Sequence, residues 1–195
     1  MGLRVLLLDT KPSNPNHYIC LAIFHALQKH RDVESVYLAS FGDAITLAQK
    51  HQCNLFFAFD GEGLHVALCQ KLKAICGYAI VWNTEDPYEL PVNLAHAPLF
   101  DHIYTNDSAS VAAYGGKATH LPLAASEQFQ YHPVLDNDAC RYDLFFAGTA
   151  WPNRVELIGK LANLMDGSLR MKLAMPTNAH LPAIENLPLA PSVYN

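Results

Sequence analysis

Short apolar segments alternate with helical ones from the first residues of this 195-residue chain, and this alternation constrains its fold most. Buried strands are expected where apolar runs lack a polar–apolar alternation, at 3–8, 35–39, 55–59 and 78–82. Helices are expected in the segments that follow, where apolar residues recur at helical spacing, at 17–30, 43–51, 64–75 and 88–97. Apolar strands that alternate with helices are typical of a parallel sheet covered on both faces. The pattern therefore predicts an α/β fold with a doubly wound, Rossmann-like parallel sheet.

The same alternation divides the chain into domains. Strands at 101–105 and 118–121, with a short helix at 109–114 that ends at Gly115 and Gly116, complete a first domain over 1–123. The polar segment 124–141 is expected to be a linker. A strand at 142–147, a helix opened by 152–154 and a strand at 169–174 then begin a second Rossmann-like unit over 142–195. Two strands and one helix are too few for a sheet with its own core, so this second domain is expected to be incomplete.

Charge, hydropathy and cysteine usage exclude several functional classes. The 13 basic and 18 acidic residues give a net charge of −5 and form no block of like charge, which disfavours nucleic acids and anionic membranes as partners. No apolar stretch approaches the roughly 18 residues of a membrane span and no signal peptide is recognised, so a cytoplasmic protein is expected. Five cysteines without a C-x-x-C spacing indicate reduced, buried thiols. Only 16% of the residues are charged, which suggests that a partner chain, a second copy or a missing part covers some of the surface.

Polar residues follow the first predicted strand, at the edge of the sheet where open α/β sheets bind ligands. The loop holds Asn14 and Asn16 and ends at His17, the start of the first helix. Asn16 is a good N-cap type. His17 lies where the helix dipole favours a neutral imidazole, so it is either a general base or an ordinary surface histidine. The loop lacks the G-x-G-x-x-G pattern, which argues against a nicotinamide dinucleotide.

Three later loops reach the same edge. Asp60 and Glu62 form a pair that either binds a substrate hydroxyl or belongs to a turn. The loop that follows the fourth strand is denser in polar groups, and its binding candidates are Trp82, Asn83, Glu85 and Asp86, the last two as acid–base groups. Asn106 and Asp107 are weaker candidates for substrate binding, because Asp107 or Ser108 explains the loop as a helix cap.

The second unit carries a candidate anion site. Gly148 and Thr149 join a strand to a helix N-terminus, and Asn153 and Arg154 lie in its first turn. Free backbone N–H groups, the helix dipole and a guanidinium suit a phosphate, although an exposed arginine near a helix-starting proline is also common. No H-x-H or H-E-x-x-H pattern indicates a metal, and no G-x-S-x-G elbow supplies a nucleophile.

Five blocks in the chain, in this order, resemble the CgeB-like glycosyltransferases. They are NPNHY at 14–18, WNTEDP at 82–87, FDHIYTND at 100–107, HLPLA at 120–124, and YDLFFAGT at 142–149 with PNR at 152–154. The resemblance implies the GT-B architecture, in which two Rossmann-like domains bind acceptor and donor respectively and no metal takes part in catalysis. It implies that His17, Glu85 or Asp86 deprotonates the acceptor hydroxyl, and that Gly148, Thr149 and Arg154 approach the diphosphate of a nucleotide-sugar donor.

Members of that family are much longer than this chain. The chain is therefore expected to be the N-terminal part of a glycosyltransferase, inactive by itself, that acts on a sugar, lipid or protein acceptor. One alternative is a stand-alone, non-catalytic module that binds a ligand or another protein. Another is a nucleotide-sugar epimerase of the same architecture, which would need carboxylates that face the donor sugar.

Overall fold

The computed structural model describes residues 2–9, 16–61, 63–133, 141–164 and 170–174. The chain forms two compact units, Met1–Tyr131 and His132–Asn195. Each unit is α/β, with parallel strands and helical connections.

The first unit is built on a six-stranded sheet in the order β2-β1-β3-β4-β5-β6, in which every neighbouring pair is parallel. Its strands are β1 Leu3–Asp9, β2 Val33–Ala39, β3 Leu55–Phe59, β4 Ala79–Asn83, β5 His102–Thr105 and β6 Ala118–His120. The predicted Rossmann-like parallel sheet is confirmed. The strand order reverses between β1 and β3, and in such sheets the carboxyl ends at the reversal form the crevice where ligands bind.

Helices cover both faces of this sheet. They are α1 His17–Lys29, α2 Ala44–Lys50, α3 Val66–Cys76 and α4 Leu90–His96, together with 3-10 helices at Ala97–Leu99 and Val111–Tyr114. Successive side chains of β1 point to opposite faces: Leu6 and Leu8 pack with α2 and α3, whereas Val5 and Leu7 pack with α1. Each of these four side chains is fully buried, and burying one contributes roughly 1.5–3 kcal/mol.

The end of the first unit differs from the expected linker. Helix α5, Glu127–Gln130, lies within the segment 124–141 and packs on α1. Its Phe129 ring is 6.4 Å from the ring of Tyr18 and 6.5 Å from that of His25, so this part of the segment belongs to the first unit. Apolar contact with α1, rather than local sequence, orders a helix of only four residues.

The predicted helix at 109–114 is a 3-10 helix, Val111–Tyr114. As expected, it ends at Gly115, which adopts a left-handed conformation with φ of 63°. A residue without Cβ occupies this conformation at no steric cost.

The second unit has the expected β-α-β order. Its strands β7, Leu144–Ala147, and β8, Met171–Ala174, are parallel, and helix α6, Pro152–Leu164, lies between them in the chain. Its buried core consists of Ala150, Ile158 and Leu173. On the same elements Phe145, Leu157 and Leu164 are exposed.

Four cysteines, Cys20, Cys53, Cys69 and Cys76, are buried and free, which agrees with the expected reduced thiols; Cys140 lies outside the described residues. Burial raises the pKa of the Cys69 thiol to about 11 and that of Cys76 to about 12. No helix in the described part of the chain has the length and apolar character that crossing a membrane requires.

Candidate functional site

A histidine–aspartate pair lies at the carboxyl end of β1. Asp9 is the last residue of β1 and is 6% exposed, and His17 begins α1. Nδ1 of His17 is 2.7 Å from Oδ2 of Asp9. The two groups are close without an aligned hydrogen bond, because Nδ1 has no hydrogen-bond partner among the described residues. A carboxylate beside one ring nitrogen stabilises the imidazolium, and Nε2 is then the nitrogen that would accept a proton in a general base.

Asn16 and Glu85 connect this pair to the loop that follows β4. The Asn16 side-chain amide donates a hydrogen bond to Oε1 of Glu85. Asn16 is the N-cap residue of α1, as predicted, but its side chain makes no capping hydrogen bond to the helix. Its amide group instead reaches across the sheet edge to a carboxylate, and a hydrogen bond to a charged group is stronger than one between neutral groups.

Asp60 follows β3, and its hydrogen bonds stabilise the loops around it. It is 1% exposed and adopts a left-handed conformation with φ of 62°. Its carboxylate accepts hydrogen bonds from the backbone N–H and the hydroxyl of Thr84, the latter at 2.9 Å. Asp60 therefore ties the loop after β3 to the loop after β4.

Asp86 is the most enclosed carboxylate of the loop after β4. It is 3% exposed and accepts three hydrogen bonds, from the Asn93 amide at 2.8 Å and from the Thr105 and Tyr114 hydroxyls at 2.7 Å each. The pKa of Tyr114 is raised, because burial and the hydrogen bond to Asp86 both disfavour the phenolate. Asp86 thus joins its own loop to α4, to β5 and to the 3-10 helix. The neighbouring Glu85 is only half-buried.

Trp82 and Asn83, at the end of β4, are both buried. The indole N–H of Trp82 donates to the carbonyl of Leu121 at 3.1 Å, and the Asn83 amide donates to the Tyr114 hydroxyl at 3.0 Å. The Oδ1 atoms of Asn83 and Asn93 are buried, and neither accepts a hydrogen bond from a residue that the structure describes. Both oxygens lie near the Cα of Gly61, where a Cβ would be 2.2 Å from Oδ1 of Asn93.

Asp107 stabilises the turn before the 3-10 helix, whose N-cap is Ser110 and not Asp107 or Ser108 as predicted, because the helix begins only at Val111. Its Oδ1 accepts the N–H of Ala109 at 3.3 Å, and its Oδ2 accepts the hydroxyl of Ser110 at 2.6 Å. The Ser110 hydroxyl bond lowers the pKa of Asp107. The neighbouring Asn106 is half-buried, and its backbone carbonyl lies 3.2 Å from Nε2 of His120.

The residues predicted to form an anion site in the second unit lie in the loop between β7 and α6 and in the first turn of α6. The Gly148 N–H donates to Ala174 at 3.0 Å, and Nη1 of Arg154 donates to the carbonyl of Thr149 at 3.3 Å. A Cβ at position 148 would be 3.1 Å from Nη1 of Arg154, so the guanidinium lies directly against this glycine. Asn153 is exposed in the first turn of α6. The guanidinium, Gly148 and Thr149 are together, as expected.

The structure brings most predicted residues of the first unit to one edge of the sheet, but it gives them different environments. Asn14 and Glu62 lie outside the described residues. Within the described ranges, no three His, Cys, Asp or Glu side chains are grouped so that they could hold a metal ion.

Four residues of this site were missed from the sequence: Asp9, Asn93, Thr105 and Tyr114. Asp9 had a recognisable signal, because it is a carboxylate at the carboxyl end of a buried strand. Thr105 had a similar signal, because it is the last residue of β5. Asn93 and Tyr114 had none, since each is brought to Asp86 from a separate segment.

The fold and the site define an α/β protein with polar side chains at the carboxyl edge of its sheet. Comparisons with known proteins do not assign the chain to a family. No protein-family model matches the chain, and no curated protein matches it. Among solved structures, a LuxR-family two-component response regulator from Aurantimonas sp. is similar to it. That similarity has 12% sequence identity and a TM-score of 0.39, and it covers 61% of this chain and 90% of that chain. A likeness of this size says nothing about the function of this chain.

Proposed function

We propose that the first unit is the acceptor-binding domain of a GT-B glycosyltransferase, in which His17 deprotonates the acceptor hydroxyl. The observation that carries the proposal is the 2.7 Å contact between Nδ1 of His17 and Asp9 at the carboxyl end of β1. The five-block resemblance to the CgeB-like family supports the same reaction class. With the Asp9 carboxylate 2.7 Å from Nδ1, Nε2 takes the acceptor proton and the charge of Asp9 stabilises the imidazolium.

The surroundings favour His17 over the two acids as the base. Asp86 is buried, and both of its carboxylate oxygens already accept hydrogen bonds from neighbouring segments. Glu85 accepts the Asn16 amide, next to His17 in the chain, and this contact supports a positioning role at the acceptor site.

The proposed reaction forms a bond between the acceptor oxygen and the anomeric carbon as the bond to the diphosphate breaks. Gly148, Thr149, Asn153 and Arg154 would support the charge that develops on the leaving diphosphate. Arg154 would exchange its bond to the Thr149 carbonyl for a stronger one to phosphate. The donor is a nucleotide-diphosphate sugar, the proposal involves no resident metal, and the proposed location is the cytoplasm.

The test is sugar transfer by the full-length gene product supplied with UDP-, GDP- and dTDP-sugars. His17→Ala is expected to lower kcat by 10²–10⁴-fold with little change in the KM for the donor, because the base acts on the acceptor. Asp9→Asn is expected to lower kcat as well, and His132→Gln, at an exposed position, is the matched control. Full activity in both His17→Ala and Asp9→Asn, or no binding of any of these donors, would contradict the proposal.

A non-catalytic ligand-binding module is the second candidate. It is favoured by Asp60 and Asp86, whose carboxylates hold loops together instead of facing an open site. Saturable binding of a small molecule without turnover, unchanged by His17→Ala, would support this candidate over the enzyme.

A further inference from the structure

A groove runs along α1, on the sheet face opposite α2 and α3, and we call it the α1 groove. It has a volume of about 680 Å³. One wall is α1 and the other is the segment 124–128, with Trp82 between them. Its apolar lining is formed by Ile19, Ala22, Ile23, Ala26, Trp82, Ala124 and Ala125. The groove lies within the first unit.

The α1 groove is lined mainly by apolar side chains. The indole N–H of Trp82 already donates to Leu121, so only its apolar ring is left to contact a ligand. The space exists because alanines line both walls: Ala22 and Ala26 on α1, and Ala124 and Ala125 opposite. Apolar lining with few polar groups is typical of small-molecule sites of roughly 300–1,000 Å³.

The length of the α1 groove suits an extended small molecule. The residues from Ile19 to Lys29 line it and span about 15 Å along the helix, because an α-helix rises about 1.5 Å per residue.

One end of the α1 groove is cationic. Lys29 lies in the last turn of α1, is exposed, and forms no ion pair with any residue that the structure describes. His25 is one turn earlier on the same wall, and its Nδ1 is 3.2 Å from the Gln28 side chain. Glu127 is on the opposite wall, so an anionic ligand group is favoured at the Lys29 end and disfavoured beside α5.

We propose that the α1 groove binds a small amphiphilic carboxylate, with its acyl chain over Trp82 and its carboxylate at Lys29. The inference is independent of the proposed function, because neither His17 nor Asp9 lines the groove. The groove would act as a ligand site beside the polar edge of the sheet.

The test titrates laurate, below its micelle concentration, against the full chain by calorimetry. We expect saturable binding of one laurate per chain. In the Trp151→Phe variant Trp82 is the remaining tryptophan, and a titration followed by its fluorescence should give the same affinity. Ala22→Leu and Ala26→Leu fill the groove and should each weaken binding at least tenfold. Ala74→Leu, at an exposed helical alanine on α3, is the matched control and should bind as the unaltered chain does.

A charge-reversal variant tests the carboxylate end. Lys29→Glu should weaken laurate binding at least fivefold and leave the binding of neutral dodecanol unchanged. The proposal is overturned if laurate does not bind saturably, or if both groove-filling variants bind it with unchanged affinity. Equal loss of laurate and dodecanol in Lys29→Glu would overturn the assignment of the carboxylate to Lys29.

Discussion

Gly61 shows how closely the chain packs beneath the polar edge of the sheet. A Cβ at this position would be 2.2 Å from Oδ1 of Asn93 and 3.2 Å from Oδ1 of Asn83. Both amides are buried, and the Asn93 amide is bound to Asp86, so neither can move freely. Gly61→Ala is therefore expected to lower the free energy of unfolding by about 1–3 kcal/mol, as overpacking does elsewhere.

Urea denaturation measures this effect, with Gly42→Ala as the matched control. A Cβ at position 42 would meet only Ser40 Oγ, at the ordinary contact distance of 3.8 Å. The control should be neutral or slightly stabilising, because alanine reduces the conformational entropy of the unfolded chain. Equal stability of the two variants would show that the Asn93 side chain gives way at low cost.

Asp101 makes stability depend on pH. Its carboxylate binds the Lys73 ammonium at 2.7 Å and the Ala79 N–H at 2.9 Å, which joins α3 to the start of β4. Partial burial raises the pKa of Asp101, but these hydrogen bonds outweigh burial and the net pKa is lowered. A carboxyl group with a lowered pKa in the folded state stabilises the protein above its ordinary pKa of about 3.9, and this stabilisation is lost as pH falls through the folded pKa.

Asp101→Asn is therefore expected to cost about 1 kcal/mol at pH 7. The figure is modest because solvent screens side chains that are about a third exposed, 34% for Lys73 and 29% for Asp101. The difference from the unaltered chain should shrink as pH falls from about 4 through the lowered folded pKa of Asp101, because the carboxyl group then becomes protonated and uncharged, as the asparagine amide is. Urea denaturation at pH 7 and pH 3 measures it, and a difference of the same size at both pH values would contradict the assignment.

At the scale of elements, the Tyr114 hydroxyl fixes the 3-10 helix to the sheet. It accepts from the Asn83 amide and donates to Asp86. Tyr114→Phe removes both bonds and leaves two buried polar groups short of a partner, at an expected cost of about 2–3 kcal/mol. Hydrogen exchange of the 3-10 helix Val111–Tyr114 should also become faster. Tyr88→Phe, at a side chain that is 87% exposed, is the control and should change neither property.

The elements also show what the sequence could reveal. The parallel sheet was predictable because an apolar run such as Leu55–Phe59 can be satisfied only if both faces are covered. It was also predictable that the polar residues would lie at one edge of the sheet, because parallel strands all end at the same edge. Helix α5 was not predictable, because contact with Tyr18 and His25 stabilises it and local spacing does not.

The contrast between Glu85 and Asp86 was equally inaccessible from sequence. The two carboxylates are adjacent, yet only Asp86 is surrounded by donors, which come from α4, β5 and the 3-10 helix. Their different roles depend on long-range packing. The α1 groove likewise arises only when the segment 124–128 folds against α1.

At the scale of the whole molecule, the described residues of the two units bury cores of different size. In the second unit they bury a cluster of Ala150, Ile158 and Leu173, whereas in the first they bury two extensive clusters, one on each face of the sheet. The second unit is therefore expected to unfold at a lower urea concentration than the first.

Two tryptophans allow this to be measured in the full chain, because Trp82 belongs to the first unit and Trp151 to the second. Trp82→Phe leaves a reporter of the second unit, and Trp151→Phe leaves a reporter of the first. The fluorescence transition of Trp151 should precede that of Trp82. Coincident transitions, matched by circular dichroism, would instead indicate that the whole chain unfolds cooperatively.

The position of Asp86 also has a consequence for how this sequence can change over time. A neutral residue at position 86 would leave Asn93, Thr105 and Tyr114 without their common acceptor, so the first substitution at any of these four positions is costly. The cost falls once a second member of the group has changed, because a partner that is already gone cannot be lost again. Among related chains, these four positions are therefore expected to vary together.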